Sequence, residues 1–471
     1  MPANDTLSRP RFGLRAAVSE ALRGSRRDFT EVPVQHAILL LAVPMVLEMA
    51  MESLFAVVDI FWVSRLGAEA VASVGLTEAM LTLIYTVAMG LSIGATATVA
   101  RRIGEKEPER AARAAVQVLA LGVGLAIPLG IVGSQLAPQF LTWMGGSPEV
   151  VGQGHGYTAV MLGGNVTVLL LFLGNAIFRG AGDAAIAMRV LWLANGLNIL
   201  LGPCFIFGLG PFPQLGVTGA AVATNIGRGT GVVYLLYRLW RGGSHIRVER
   251  RHLCLELPTM AAVVRLSAGG MLQTLVGMTS WLALMRILAG FGSTALAGYT
   301  VAIRVVIFAL LPSWGLSNAA ATLVGQNLGA GKPDRAEEAV WKAGFYNLLF
   351  LGVIGTVFVL FAPRIIGLFI QDPRVLPYGI SCLRTVSMGF LFYAYGMVMN
   401  QAFNGAGAVW TPTLVNFGCF WAWQLPLAYA LAHTMGYGPQ GLFAAITIAW
   451  STYAIVSATL FKRGGWKLKK V

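Results

Sequence analysis

RLGAEAVASVGLTEAMLTLIYTVAMGLSIGATATVARRIGEKEPERAARAA, residues 65–115, is answered 225 residues later by GFGSTALAGYTVAIRVVIFALLPSWGLSNAAATLVGQNLGAGKPDRAEEAV, residues 290–340. Without a gap, Gly67 falls on Gly292, Gly90-Leu91-Ser92 on Gly315-Leu316-Ser317, Gly104 on Gly329 and Pro108 on Pro333. The same offset carries NAIFRGAG (175–182) onto NQAFNGAG (400–407). Chance does not hold one register from residue 65 to residue 182. The chain is a duplication.

Its solvent follows from composition. Of 471 residues, 56% are hydrophobic and 11% charged, where a soluble domain carries roughly 25% charged residues. The chain is therefore an integral membrane protein. The net charge of +14 does not mark a nucleic-acid binder, because the basic residues sit at helix ends rather than on one soluble module. The four cysteines, Cys204, Cys254, Cys382 and Cys419, are far apart and suggest neither a disulfide framework nor a metal site. No apolar signal-peptide core is visible in residues 1–32. Within them, RFGLRAAVSEALRGSRRDF reads as a disordered tail, or as a basic amphipathic helix on anionic lipid.

Apolar stretches of about 20 residues are needed to cross a bilayer. Twelve are found, centred near residues 50, 85, 125, 167, 198, 228, 275, 310, 350, 390, 422 and 450. One set of connections is basic: the N-terminal tail, 101–113, Arg179 with Arg189, 238–251, 331–342 and 462–470. The other set (140–150, 208–216, 290–293 and 433–440) holds no Lys or Arg, and only Arg65, Arg364 and Arg374 interrupt that side. Short basic loops stay cytoplasmic, so both termini are expected inside, with the cytoplasmic (inner) membrane as the location. The fold class is all-α: twelve transmembrane helices in two six-helix parallel repeats around a central cavity. The boundaries are a basic tail 1–33, a first lobe 34–240, a basic loop 241–257, a second lobe 258–461 and a basic tail 462–471. Six spans per repeat make the repeats parallel, an arrangement that places a site between two lobes.

The first span holds three carboxylates where hydrocarbon is expected. At about 100° per residue, Glu52 and Asp59 lie about 40° and 20° round from Glu48, so one helix face carries all three over about 16 Å. Glu78 is a fourth acid in the same lobe, whereas the spans of the second lobe hold none. Intramembrane carboxylates face a cavity or a partner and are functional candidates. They can relay a proton or, with neutral oxygens from Asn and Thr, coordinate Na⁺. The bland alternative is a structural pair with a buried arginine such as Arg286 or Arg304.

P-x(14)-D-x-F-W-V-x-R-L-G (Pro44 to Gly67), G-L-S-x-G (90–94), N-x-x-F-R-G-x-G-D (175–183), L-N-I-L-L-G-P-x-x-I-F-G (197–208), L-G-V-T-G-A-A-V-A-T (215–224), Q-N-x-G-A-G (326–331) and N-G-A-G (404–407) together resemble the multidrug and toxic compound extrusion family. The likeness runs from about residue 34 to the end of the second lobe. It implies export of bulky, often cationic organic compounds while H⁺ or Na⁺ flows inward, with no cofactor beyond the coupling ion. It also implies a first-lobe cation site at Asp59 and Asn198. The family's second acid there, four residues after the Asn, is Gly202 in this chain, and the Glu that another branch carries on its seventh helix is Gly277. Glu52 is the expected substitute, with Glu48 and Glu78 as further carboxylates and Thr218 or Thr224 as neutral oxygens.

Gln273, Asn400, Trp281, Trp314, Tyr395 and Trp423 are the expected cavity lining of the acid-free lobe, the aromatics by stacking on a flat cation. GFGSTA (290–295) follows no strand, and Pro333 after Gly331-Lys332 rules out a phosphate-binding loop. No residue constellation supports an enzyme. The expected partners are a small organic substrate and the bilayer, with the chain acting as a monomer. A flippase for a lipid-linked or polysaccharide precursor is the alternative, kept open by Arg286 and Arg304.

Overall fold

The structure is a computed structural model that describes residues 14–242 and 245–469. It is all-helical, with no strand among the described residues. Helix α1 is Leu14–Arg23. The first lobe comprises α2 (Val34–Val63), α3 (Ala68–Gly104), α4 (Pro108–Gln135), the short α5 (Ala137–Trp143), α6 (Pro148–Gly163), α7 (Asn165–Ala181), α8 (Ala184–Phe207) and α9 (Val217–Arg241). The second comprises α10 (Leu257–Ala289), α11 (Ser293–Gly329), α12 (Pro333–Gly367), α13 (Leu376–Met388), α14 (Phe390–Gly405), an eleventh span from Trp410 to Thr434, and α17 (Gly438–Lys462). That eleventh span includes α15 (Trp410–Asn416) and α16 (Leu425–Tyr429), with π-helical winding at Phe417–Gln424 and Ala430–Thr434. Pairing α6 with α7 and α13 with α14, each bent at a one-residue break, gives twelve spans.

The duplication is visible in the backbone. Gly67 and Gly292, repeat mates, take φ of 105° and 97° just before α3 and α11, a conformation that strains any residue with a Cβ. Gly164 and Gly389, also mates, break their spans by 41° and 58°. Pro108 and Pro333 open α4 and α12 at positions whose N–H groups lack helical partners anyway.

The lobes meet at the end that carries the basic loops. A Cβ on Gly90 would collide with Met271, and one on its mate Gly315 with the backbone of Met45. Gly104 lies against the Gln326 carbonyl and Gly329 against the Arg101 carbonyl, again as mates. Glycines permit such backbone approaches between membrane helices. Toward the other end, Leu54, Val57, Phe61 and Leu282 are exposed on α2 and α10. The lobes also exchange material. Val34–Met45 of α2 packs with Ala319, Leu323 and Ala339 of the second lobe, while Val63 belongs to the first-lobe core.

Residues 14–33 are a packed strap, not the expected disordered tail or lipid-surface helix. Ala17 and Ala21 of α1 are buried. Arg189 donates to the carbonyls of Leu22 and Arg23 at 2.7 and 2.9 Å, tying the strap to the first lobe. Lys332 donates to the Thr30 carbonyl at 3.0 Å, and Arg335 to those of Phe29 and Val32, tying it to the second. The expected boundary at 33/34 therefore separates chain segments but not packing units. Residues 1–13, with Arg9 and Arg11 of the basic tail, and Lys470 lie outside the described residues.

Candidate functional site

The acidic face of α2 meets three different helices. Glu48 is buried, accepts from Arg179 Nη1 of α7 at 2.7 Å and from Asn175 Nδ2 at 3.3 Å. Glu52, one turn on, accepts from Asn195 Nδ2 of α8 at 2.9 Å. Asp59, near the far end of α2, has Arg228 of α9 as its charged neighbour. Glu78 of α3 stands in the field of Arg228, Asp59 and Glu52; protein desolvates its carboxylate, yet its side chain stays accessible. That combination marks a cavity wall. Three carboxylates thus surround one buried guanidinium.

The neutral candidates divide. Asn198 donates to Thr224 Oγ1 at 2.6 Å, so these two form one unit between α8 and α9. Thr218 packs against Gly156 of α6. A Cβ at Gly202 would meet nothing within 4 Å, and the same holds at Gly277. Both positions where the family elsewhere sets a carboxylate therefore border open space.

In the second lobe Gln273 donates to Asn400 Oδ1 at 2.9 Å, bringing two expected cavity residues together across α10 and α14. Trp281, Trp314 and Trp423 are exposed. Tyr395 is half-buried; it packs on Gly344 and lies 5.9 Å from the Trp341 ring. Space between α10 and the π-helical stretch forms an apolar recess lined by Leu275, Val276, Thr279, Leu282, Phe417 and Trp421. Trp421 Nε1 donates to the Val276 carbonyl at 3.2 Å and so fixes the recess wall.

The arginine partners expected from sequence are corrected. Arg286 and Arg304 are exposed, and no carboxylate lies within 4 Å of either among the described residues. The cations that face the acids are Arg179, largely covered, and the buried Arg228 instead. Arg179, read as a marker of the basic side, turns inward from the end of α7. Arg228 lies mid-span between Gly227 and Gly229, and its charge inside a predicted helix was the signal that could have flagged it. Asn195 has no such signal, since nothing in its local sequence points to Glu52.

Comparison with known proteins agrees with this fold. The MatE family profile matches residues 44–204 and 268–430, one block in each lobe. A probable multidrug resistance protein NorM of Thermotoga maritima is 28% identical over 447 residues, covering 94% of this chain and 95% of its own. A crystal structure of a MATE protein in complex with MaL6 superposes with a TM-score of 0.86 at 28% identity, covering 95% of this chain and 98% of that one. A multidrug resistance MATE transporter of the MOP superfamily in its outward-facing conformation gives 0.85 at 27% identity, covering 94% and 97%. Members of this family are transporters rather than enzymes, and with two matching repeats on a twelve-helix frame, this chain belongs to the multidrug and toxic compound extrusion family.

Proposed function

We propose that the chain is a secondary antiporter of the cytoplasmic (inner) membrane that exports organic, often cationic compounds in exchange for inward H⁺ or Na⁺. Its basic face and both termini lie in the cytoplasm, in keeping with the Lys and Arg bias of the loops. In this reading the two lobes rock about the glycine contacts and expose the cavity alternately to the two sides, which the close approaches at Gly104 and Gly329 support.

One observation carries the reading: Glu52, Asp59 and Glu78 share a single buried cation, Arg228, while the acids of the second lobe lie only at the start of α12 and in the connection at Asp372. Uncompensated intramembrane carboxylates are expensive unless a transported cation or proton visits them. Asp59 is the central coupling group, with Glu52 beside it in place of the acid absent at 202. Asn198 and Thr224 contribute neutral oxygens. Glu48, locked to Arg179, holds helices together. The membrane potential supplies about 2.3 kcal/mol per charge per 100 mV.

The test is dye transport in inverted vesicles containing the protein. Transport of a cationic dye is expected on imposing an acid or Na⁺ gradient, and Asp59→Asn is expected to abolish the gradient response while the protein remains folded. Asp59→Asn transport at the original rate would remove Asp59 from the mechanism. Movement of a lipid-linked sugar phosphate with no dye transport would instead favour the flippase.

A further inference from the structure

Arg228 is 8% exposed on α9. Its Nη2 reaches only Tyr85 Oη, at 3.4 Å, and its Nη1 is buried with no hydrogen-bond partner. Among the described residues no carboxylate lies within 4 Å of it, although Asp59 and Glu52 of α2 and Glu78 of α3 all act on its charge. Tyr85 of α3 and Tyr157 of α6 complete the titratable groups around it. A guanidinium offers five donors and does not lose its proton. A buried charge left without a committed partner is costly, so this arrangement belongs to a group that changes partners.

We propose that Arg228 is a tethered rival of the transported cation: its guanidinium closes on the carboxylates whenever they are ionised and unoccupied, and this built-in charge makes H⁺, not Na⁺, the ion the site accepts. The inference rests on coupling through this cluster. A proton needs one carboxyl group and no coordination shell; it neutralises that group and releases the guanidinium toward Tyr85. A Na⁺ ion needs several converging oxygens and would have to settle beside a fixed positive charge. The sequence points the same way, with glycine at 202 and a cation at 228 in the same lobe.

Equilibrium binding of ²²Na⁺ to the purified full chain in detergent gives a readout independent of transport. The wild type is expected to bind none saturably. Arg228→Met is expected to acquire saturable Na⁺ binding that Arg228→Met/Asp59→Asn loses, and Arg228→Lys to behave as wild type. In proteoliposomes, a Na⁺ gradient should change wild-type dye export less than twofold and Arg228→Met export at least tenfold. Saturable Na⁺ binding by the wild type overturns the inference, and that measurement needs no variant. So does an Arg228→Met protein that ignores Na⁺ and keeps the wild-type pH dependence. If wild-type export follows neither gradient and Asp59→Asn changes nothing, the antiport reading itself has failed. If the wild type follows the pH gradient and only Arg228→Met disappoints, the failure is confined to Arg228.

Discussion

The repeat offset places Glu48 on Gln273, Asn175 on Asn400 and Arg179 on Asn404. In the first lobe the three residues form an ion pair at 2.7 Å with an amide donor at 3.3 Å. In the second, Gln273 donates to Asn400 at 2.9 Å, and Asn404 donates to Gln401, which donates to Asn318 at 2.6 Å. The same helix pair meets at the same level in both lobes, once with full charges and once with amides. The contact is therefore scaffold, and the charge is not required by it. What the fold demands here is a polar link between the first and fourth spans of each repeat. What it leaves free is sign and magnitude. Charge has been concentrated in the first lobe, where the remaining acids gather round Arg228.

The hardest test of that comparison removes one charge at a time. Arg179→Asn leaves Glu48 buried and unpaired, and Glu48→Gln strands the guanidinium. Each should cost about 3–5 kcal/mol of stability, measured by thermal unfolding in detergent. The double variant Glu48→Gln/Arg179→Asn recreates the second-lobe set in the first and should recover most of the loss. A double variant as unstable as the single ones would show that the ion pair is not interchangeable with the amide network.

Coupling should be more unequal between the lobes than stability. Asp59 has Leu284 as its mate and Glu52 has Gly277, so the second lobe holds no spare carboxylate at either mate position. Glu52→Gln is expected to reduce pH-driven dye export at least tenfold, a loss comparable to that of Asp59→Asn and worth about 1.4 kcal/mol or more in rate. Normal coupling in Glu52→Gln would return Glu52 to a purely structural bond with Asn195.

Much of this is legible in the sequence. The repeat register anticipated the mated glycines at 67 and 292 and at 104 and 329, because a glycine demanded by a backbone conformation or a close approach survives duplication. The acidic face of α2 followed from helical spacing alone. What spacing does not reveal is which helix opposes which residue. Glu48, Glu52 and Asp59 look equivalent on a wheel, yet α7, α8 and α9 meet them in turn with Arg179, Asn195 and Arg228. Arg179 was hidden by its place at a helix end, where a cation reads as a topology marker. The strap was obscured by a basic composition that the packed helix shares with a lipid-bound or disordered one.

Glycine contacts give an intermediate effect and a symmetric one. Gly104→Ala and Gly329→Ala each press a methyl group into a carbonyl of the other lobe, at Gln326 and Arg101 respectively. Overpacking of this kind costs about 1–3 kcal/mol, and here it falls on the state sealed at the basic end. Both variants should raise the accessibility of cysteines introduced at Ser92 and Ser317, and to a similar degree, since the contacts are repeat mates. A response in one lobe without the other would break the picture of paired lobes rocking together.

The smallest effect lies at the strap, where the lobes again differ. The second lobe holds it through Lys332 and Arg335, whereas the first holds it partly through His245. The His245 Nδ1 faces Asp183 Oδ1 at 3.1 Å and its Nε2 faces the Arg27 carbonyl at 3.1 Å. Both neighbours are acceptors, so only the doubly protonated ring satisfies them together. Burial opposes that charge, but the bond and charge of Asp183, with help from the Arg27 carbonyl and Asp28, win and raise the pKa above its ordinary 6.5. A raised histidine pKa contributes stability in full below the ordinary value and loses it as pH climbs through the raised one. The first-lobe end of the strap should therefore loosen above about pH 6.5, by about 0.5–1 kcal/mol for a partly screened pair. Hydrogen exchange followed against pH should show faster opening at residues 25–28, while residues 29–33, held by Lys332 and Arg335, change little. His245→Gln should remove the pH dependence at the first-lobe end. Equal loosening along the whole strap would mean that its two anchors are not independent.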